Sequence, residues 1–431
     1  MQYPAQIQAA TELLAQIESS NLPADRLMAG YFRPRRYIGS KDKKVIAEAV
    51  YAMQRGRGVL AWAVGEVGLP LSARSMTLAW LVQNKQRVAD IFTGAQYQPE
   101  PLDEIETKAL PKLIKLDFET APADAEHNYP AWLEASLKAA FGLRFADAMQ
   151  AMNTRAPLDL RANTLKINRD DLMQRLRANG VDVMRAPHAP DGLRVADNKS
   201  LFTMQEFKDG LFEVQDEGSQ IAARMSAVQP GMKVIDFCAG AGGKTLALAA
   251  MMGNKGRLQA LDVADSKLKE LRKRIARAGV DNVNARPITN EWDAWLKRQK
   301  DSADVVLVDA PCSGSGTWRR NPDSKWRLTP QTLQEVADKQ RNILHSASRL
   351  VKHGGRLVYI TCSVLPEENQ GQIDAFLADH KDFTLVPVQH IWKDMFRTPC
   401  PTDASTLQLA PHTTGTDGFF IAILQRGQTS E

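Results

Sequence analysis

From Val214 onward, short runs of branched apolar residues alternate with stretches of helical periodicity, and no other feature restricts the fold as much. The runs are Lys233 to Phe237, Arg257 to Leu261, Val283 to Ile288, Val305 to Val308, Arg356 to Ile360 and Phe419 to Leu424, with helices expected to begin near Thr245, Asp265, Pro330 and Glu367. A strand without a polar face must be covered on both sides, so the pattern predicts an open α/β sheet, mainly parallel, with helices on its two faces. Ligands of such sheets bind beyond the carboxyl ends of the strands. The residues just after each run are therefore the ones to read for chemistry.

Upstream the pattern changes. Between Ala5 and Gly94 the spacing is helical: Ala10, Leu13, Leu14 and Ile17 form one apolar stripe, and Val45, Ile46, Ala49, Val50 and Met53 form a second, with Ser40 placed as its N-cap. Residues 95–130 are rich in Pro, Asp and Glu and read as a linker. Beyond it, Trp132, Leu133, Ala135, Leu137 and Phe141 suggest a helix, Leu158 to Lys166 alternates like a strand, Asn168 caps a helix through Leu172 and Leu176, and short strands follow at Val181 to Met184 and Leu193 to Val195. A chain of 431 residues exceeds one ordinary core. The expected division is an all-α segment over 1–125, a small α+β middle domain over 126–212 and the α/β domain over 213–431.

Composition excludes several classes. Hydrophobic content of 44% and charged content of 24% are those of an ordinary globular protein. No apolar run approaches the roughly 18 residues of a membrane span, and the start, Met1-Gln-Tyr-Pro-Ala-Gln-Ile, has no basic or apolar region of a secretion signal, so the expected compartment is the cytoplasm. Four cysteines, at 238, 312, 362 and 400, show neither a CxxC pair nor a close histidine, which argues against a disulfide framework and a metal site. A net charge of +5 and a pI near 8.9 suit a polyanionic partner. Tyr31-Phe-Arg-Pro-Arg-Arg-Tyr37, followed by Lys41, Lys43, Lys44, Arg55 and Arg57, mixes rings with cations as an RNA surface does; an ordinary solvated face reads equally well.

Two of the cysteines end apolar runs: Asp304-Val-Val-Leu-Val-Asp309-Ala-Pro-Cys312-Ser and Arg356-Leu-Val-Tyr-Ile-Thr-Cys362-Ser. A lone cysteine is ordinarily a small buried hydrophobe. Two thiols on the reactive edge of one sheet instead suggest covalent chemistry on a pyrimidine ring. Cys238 reads as a packing residue, and Cys400, in Thr398-Pro-Cys-Pro, has no assignable role. The strand Val234-Ile-Asp236-Phe runs into Cys238-Ala-Gly-Ala-Gly-Gly-Lys244-Thr and then a helix, whose free amides suit an anionic group. Asp262, ending the next strand, stands where an acid binds a ribose diol or caps a helix. Gly243-Lys244-Thr245 also suggests a phosphate-binding loop of an NTPase, but that pattern needs glycine at 238, where this chain has Cys.

Together with Val214-Gln-Asp-Glu-Gly-Ser-Gln220, Asp309-Ala-Pro-Cys-Ser-Gly-Ser-Gly316, Asn321-Pro-Asp-Ser-Lys-Trp326, Tyr359-Ile-Thr-Cys-Ser-Val-Leu-Pro-Glu-Glu-Asn369 and Asp417-Gly-Phe-Phe420, these segments resemble the RNA cytosine-5 methyltransferases of the Sun (Fmu) family over nearly the whole chain. The resemblance implies a Rossmann-like methyltransferase domain, an α+β middle domain with Leu160-Arg-Ala-Asn-Thr-Leu facing RNA, and a NusB-like helical N-terminus. It further implies S-adenosylmethionine as cofactor, RNA as partner, most of all small-subunit ribosomal RNA, and no obligatory protein partner. By resemblance Cys362 is the nucleophile, Cys312 assists product release and Asp309 hydrogen-bonds the cytosine; the Pro-Cys motif makes Cys312 the competing nucleophile. The cofactor would meet Cys238, Ala239, Gly240, Ala241, Gly242, Gly243, Lys244, Asp262 and Asp309. The acid that family members carry after the third strand is missing from Ala285-Arg-Pro-Ile-Thr-Asn290-Glu-Trp292, which leaves Asn290 to meet the adenine. Gly240-Ala241 replaces the commoner Ala-Pro.

Two basic segments remain. The helix Lys267 to Arg277 reads as a solvated face with Leu268, Leu271 and Ile275 inward, while Arg319 and Arg320, beside Trp318, are placed to grip phosphates around an extruded base. A non-catalytic RNA-binding or assembly factor is the competing reading, against which intact Cys312, Cys362 and Asp309 count.

Overall fold

The computed structural model describes residues 1–196 and 201–428. The chain forms two units: Met1–Arg155 with Thr317–Thr329, and Ala156–Gly316 with Pro330–Glu431.

The first unit is helical. Its core is made by Tyr3–Glu18, Ser40–Arg55, Arg57–Glu66 and Ala73–Gln83, with the expected stripes buried: Leu13, Leu14, Ile46 and Val50 have essentially no exposed surface. Ser40 is the first residue of its helix and makes no cap; Gly39 holds the cap position. The expected linker contains a helix, Glu104–Lys115, whose Ala109 and Leu113 join the core. It is started by a capping box: the Asp103 carboxylate accepts from the Glu106 amide at 2.8 Å, and the Asp103 amide donates to the Glu106 carboxylate at 3.1 Å. Dense acids and the internal Pro111 hid this helix from a reading by composition. In the basic and aromatic segment, Tyr31 is buried with its hydroxyl donating to Glu12 at 2.7 Å, while Arg33, Arg36, Tyr37, Lys41 and Lys44 are exposed.

Residues 317–329 complete this unit from far along the chain. Lys325 is fully buried, its ammonium donating to the Asn128 carbonyl and to Asn153 Oδ1, both at 2.9 Å, and burial pushes it down to about 7. Asp323 accepts from the Ala24 amide at 3.1 Å, and the Arg57 guanidinium lies 4.4 Å from the Trp326 ring centroid. Arg319, expected to grip phosphates, is buried at 5% exposure, and Arg320 is half-buried.

The second unit carries two sheets. Strands β1 (Leu158–Ala162), β2 (Val183–Arg185), β3 (Gly192–Val195) and β4 (Phe212–Val214) form an antiparallel sheet in the order β2-β3-β1-β4. It packs a helix, Arg169–Ala178, capped as expected by Asn168, whose side chain accepts from the Asp171 amide at 2.9 Å. The larger sheet comprises β5 (Lys233–Asp236), β6 (Arg257–Asp262), β7 (Val283–Pro287), β8 (Ala303–Asp309), β9 (Val351–Thr361), β10 (Phe383–Val386), β11 (Leu407–Leu409) and β12 (Phe419–Arg426). Its order is β10-β12-β9-β8-β5-β6-β7, parallel from β7 to β9, with β12 antiparallel to β9 and both β10 and β11 antiparallel to β12. The result is a mixed Rossmann-like sheet. Successive residues explain the unbroken apolar runs: Val234, Val305, Leu307, Val358 and Ile360 pack into one core layer, and Ile235, Val306, Val308, Leu357 and Tyr359 into the other. The sequence pattern missed β10 and β11, which are short and lie at or beside an edge. Strand order reverses between β5 and β8, which puts the ligand-binding crevice over their carboxyl ends. No helix among the described residues is long and apolar enough to cross a membrane.

Candidate active site

A cavity of about 540 Å³ lies beyond the ends of β5, β6 and β8, a volume suited to a nucleotide-sized ligand. The loop after β5 forms one wall with Cys238, Ala239, Gly240, Ala241, Gly243 and Lys244. Gly242 does not line it but permits it: its φ is +88°, and a Cβ there would sit 2.1 Å from Leu271 Cδ1 on the helix Asp265–Ala278. Two guanidiniums fix the loop, and one of them, Arg274, also lines the cavity. Arg274 donates to the Ala241 carbonyl at 2.7 Å and to Glu213 at 2.9 Å. Arg161, on β1, donates to the Gly243 carbonyl at 2.8 Å and to the Gln215 side chain, and burial lowers it to about 10.

These contacts correct two expectations. The helix Lys267 to Arg277 buries Leu268 and Leu271 as expected, yet Arg274 and Arg277 leave the solvated face to clamp Glu213. Arg161 and Asn163, expected to face RNA, are turned to protein, with Asn163 donating to the carbonyls of Gly210 and Ala278 at 2.8 Å each.

Asp262 lines the cavity with one oxygen accepting from the Gly240 amide and the other from the Ala264 amide, both at 2.8 Å. A carboxylate offers about four acceptor positions, so capacity for a diol remains on this side chain. Asn290 does not reach the cavity; its side chain accepts from the Trp292 amide at 2.8 Å in a tight turn. Glu291, the next residue, lines the wall with Ile288, so an acidic residue stands at the cavity one step after the expected position. Val214, Gln215 and Ser219, and Lys339 and Ile343 of the helix Pro330–Ser348, also line it. The first three lie in a segment already singled out by sequence; Lys339 had no such signal.

Asp309 ends β8 with its carboxylate 2.7 Å from the Lys244 ammonium, which also lies 5.0 Å from the Phe419 ring centroid. Three residues on, Cys312 Sγ lies 3.1 Å from Cys362 Sγ, beyond the end of β9. The structure thus brings together two thiols that are 50 residues apart in sequence. The hydrogen bond to Cys362 and burial hold the Cys312 thiol well above the ordinary cysteine range, with the Glu368 charge adding to the effect. Behind the Pro-Cys loop, the Gly418 amide donates to the Gly316 carbonyl at 2.8 Å, an approach so close that a Cβ on Gly316 would stand 2.1 Å from the Gly418 carbonyl oxygen. Cys238 lines the cavity, its thiol pushed up by burial, and Cys400 packs at the edge of a core layer.

The cavity fits S-adenosylmethionine chemically. Asp262 suits a ribose diol, the amides opening the helix Gly243–Met251 suit a carboxylate, and Phe237, Ile288 and Ile343 supply apolar walls for a base.

Comparison with known proteins agrees. Residues 223–425 match the family described as 16S rRNA methyltransferase RsmB/F, and residues 129–201 match the ferredoxin-like domain of RsmF/B-like methyltransferases. The probable ribosomal RNA small subunit methyltransferase B of Synechocystis is 33% identical over 318 residues, covering 72% of this chain and 70% of that protein. The ribosomal RNA small subunit methyltransferase B of Sodalis glossinidius is 30% identical over 407 residues, covering 89% and 90%. Among solved structures, PH0851 superposes with a TM-score of 0.77 at 28% identity over 99% of both chains. A methyltransferase homolog protein from Pyrococcus horikoshii gives 0.60 at 29%, over 70% of this chain and 97% of that one. With its helical N-terminal region, small ferredoxin-like domain and mixed Rossmann-like sheet, the chain belongs to the RsmB/F, or Sun/Fmu, family of S-adenosylmethionine-dependent RNA methyltransferases.

Proposed function

We propose that this enzyme methylates carbon 5 of a cytosine in small-subunit ribosomal RNA, through covalent addition of a cysteine to carbon 6. The observation that carries this reading is the pair of thiols 3.1 Å apart, with Asp309 three residues before one of them. Carbon 5 of cytosine is a poor nucleophile. Addition of a thiolate to carbon 6 makes it enamine-like and able to accept a methyl group. S-adenosylmethionine, when bound, supplies that methyl as an electrophile. Afterwards the carbon 5 proton must leave so that the thiol is eliminated.

The residues divide these tasks. The two sulfurs, 3.1 Å apart, can share one S–H hydrogen bond, so either thiol can stand as donor to the other. By the motif each occupies in the family, Cys362 is the attacking thiol, and Cys312 assists release. Asp309, the last residue of β8 and fixed by Lys244, hydrogen-bonds the cytosine near nitrogen 3. In the cofactor cavity Asp262 holds the ribose, the loop Cys238 to Lys244 holds the amino-acid part, and Glu291 takes the adenine amino group in place of Asn290. The exposed cations Arg33, Arg36, Lys41 and Lys44 of the N-terminal unit bind RNA phosphates, an assignment consistent with cytoplasmic action on ribosomal RNA without an obligatory protein partner. We divide the chain functionally into an RNA-binding part over 1–125, a middle part over 126–212 and a catalytic part over 213–431.

The test uses RNA and labelled S-adenosylmethionine. Cys362→Ala should abolish both turnover and the covalent adduct, whereas Cys312→Ala should accumulate RNA covalently bound to protein. An adduct surviving in Cys362→Ala, or label on a purine, refutes the proposal.

A further inference from the structure

The pairing of β8 with β9 ends at Asp309 and Ile360, with a last ladder bond from the Ala310 amide to the Ile360 carbonyl at 2.9 Å. Both cysteines lie two residues farther on, at 312 and 362, where the sheet no longer sets their distance. Among the described residues one backbone bond returns beyond them, from the Gly316 amide to the Cys362 carbonyl at 2.9 Å. Ser315 adds a second tie, its hydroxyl accepting from the Val364 amide at 2.9 Å and lying 2.8 Å from the Ser363 hydroxyl, and further ties to the residues flanking both thiols converge on a single side chain.

Glu368 is fully buried. One carboxylate oxygen accepts from the Ser313 amide at 2.7 Å and from Gln340 Nε2 at 3.0 Å. The other accepts from the hydroxyls of Ser313 and Ser363, both at 2.5 Å. Ser313 follows Cys312 and Ser363 follows Cys362, so the residue after each thiol is bound to the same oxygen. Gln340 also donates to the Pro311 carbonyl at 2.9 Å, which holds the other side of Cys312. Glu368 is itself anchored, its backbone carbonyl accepting from the buried Tyr359 hydroxyl at 2.8 Å. Bonds from hydroxyl and amide donors to a carboxylate are short and strong, and a buried carboxylate with several donors does not trade them for water.

We propose that Glu368 is a positioning residue that sets the separation of the Cys312 and Cys362 thiols by binding the residues that follow both. It touches neither thiol. The proposal rests on the reading that both cysteines act in the reaction, but the separation it sets is measurable without RNA.

Oxidation by diamide reads that separation directly: two S–H bonds break, one S–S bond forms, and diamide takes up the two electrons and two protons. The wild type should form the Cys312–Cys362 disulfide, seen by mass spectrometry of its peptides. Glu368→Leu keeps the bulk and removes the acceptors; it should close the disulfide at least about tenfold more slowly and lose kcat by a similar factor, since small misplacements of reacting groups are costly. Its KM for S-adenosylmethionine should stay within about twofold, because neither Glu368 nor the serines it binds line that cavity. Glu368→Gln can keep its carbonyl on the two nitrogen donors and donate from its amide to the two hydroxyls, so it should recover most of both losses. A Glu368→Leu protein that binds cofactor normally and closes the disulfide at the wild-type rate overturns the proposal. If Glu368→Leu does not fold, the double variant Ser313→Ala with Ser363→Ala takes its place, and a wild-type closure rate there overturns it equally. Slowed closure in a protein that modifies no cytosine would support the positioning role and sink the proposed reaction.

Discussion

Asp236 closes β5 with one carboxyl oxygen bound to the Thr245 hydroxyl at 2.7 Å and the other without a protein partner, and burial, against the bond to Thr245, pushes it up from 3.8 to about 7. The folded chain thus keeps a proton that the unfolded chain releases near pH 4. Between those values the native state binds more protons than the unfolded state, so stability falls as pH rises from about 4 to about 7, by up to roughly 1.4 kcal/mol per pH unit from this group. Asp236→Asn should remove that part of the slope, and melting temperatures of both proteins across this range would show it. Individual residues were legible where a strand set their position. Cys312, Cys362, Asp309 and Asp262 all follow apolar runs, and the structure places each at the sheet edge. Glu368 and Arg161 were not, since their roles depend on partners brought in by tertiary approach. Asn290 and Glu291 show the remaining difficulty: in a loop without periodicity, nothing in sequence says which of two adjacent residues lines the cavity.

Elements with a strong period were equally readable. The first two helical stripes and the central strands follow from spacing, whereas β10, β11 and the helix Glu104–Lys115 do not, because an edge strand of three or four residues carries too little pattern and a proline-bearing acidic helix imitates a linker. The short helix Ser324–Arg327 is the opposite case, a polar sequence buried by its surroundings. Its Lys325 has two oxygen partners and no carboxylate among them, so desolvation governs its charge. With the folded value lowered to about 7 from 10.5, the unfolded chain binds more protons between those limits, and stability should rise with pH across that window. Lys325→Met keeps the length and should flatten this rise; denaturation of the two proteins at pH 7 and pH 9 would measure it.

At the scale of the whole molecule, the surplus of five positive charges matters less than their placement. Arg33, Arg36, Lys41 and Lys44 stand exposed near Tyr37, while many other cations are spent inside the protein, as Arg161, Arg194, Arg274 and Lys325 are. If the exposed group meets RNA, replacing all four by alanine should weaken binding at every sequence and reduce the slope of log affinity against log salt by up to about 0.7 for each phosphate no longer neutralised, with cofactor binding unchanged. Filter binding at several salt concentrations would report both slopes, and equal slopes would remove this surface from the RNA path. The N-terminal unit, finally, is not a stretch of sequence: it takes in residues 317–329, whose Asp323 and Lys325 bind Ala24, Asn128 and Asn153. During synthesis the first 155 residues leave the ribosome and must wait for their last segment until residue 329 has been added. At roughly 5–20 residues per second that is a delay on the order of 10–30 s. Through that interval the binding places of Lys325 and Asp323 stay unfilled, so maturation of the first unit is timed by translation of the second.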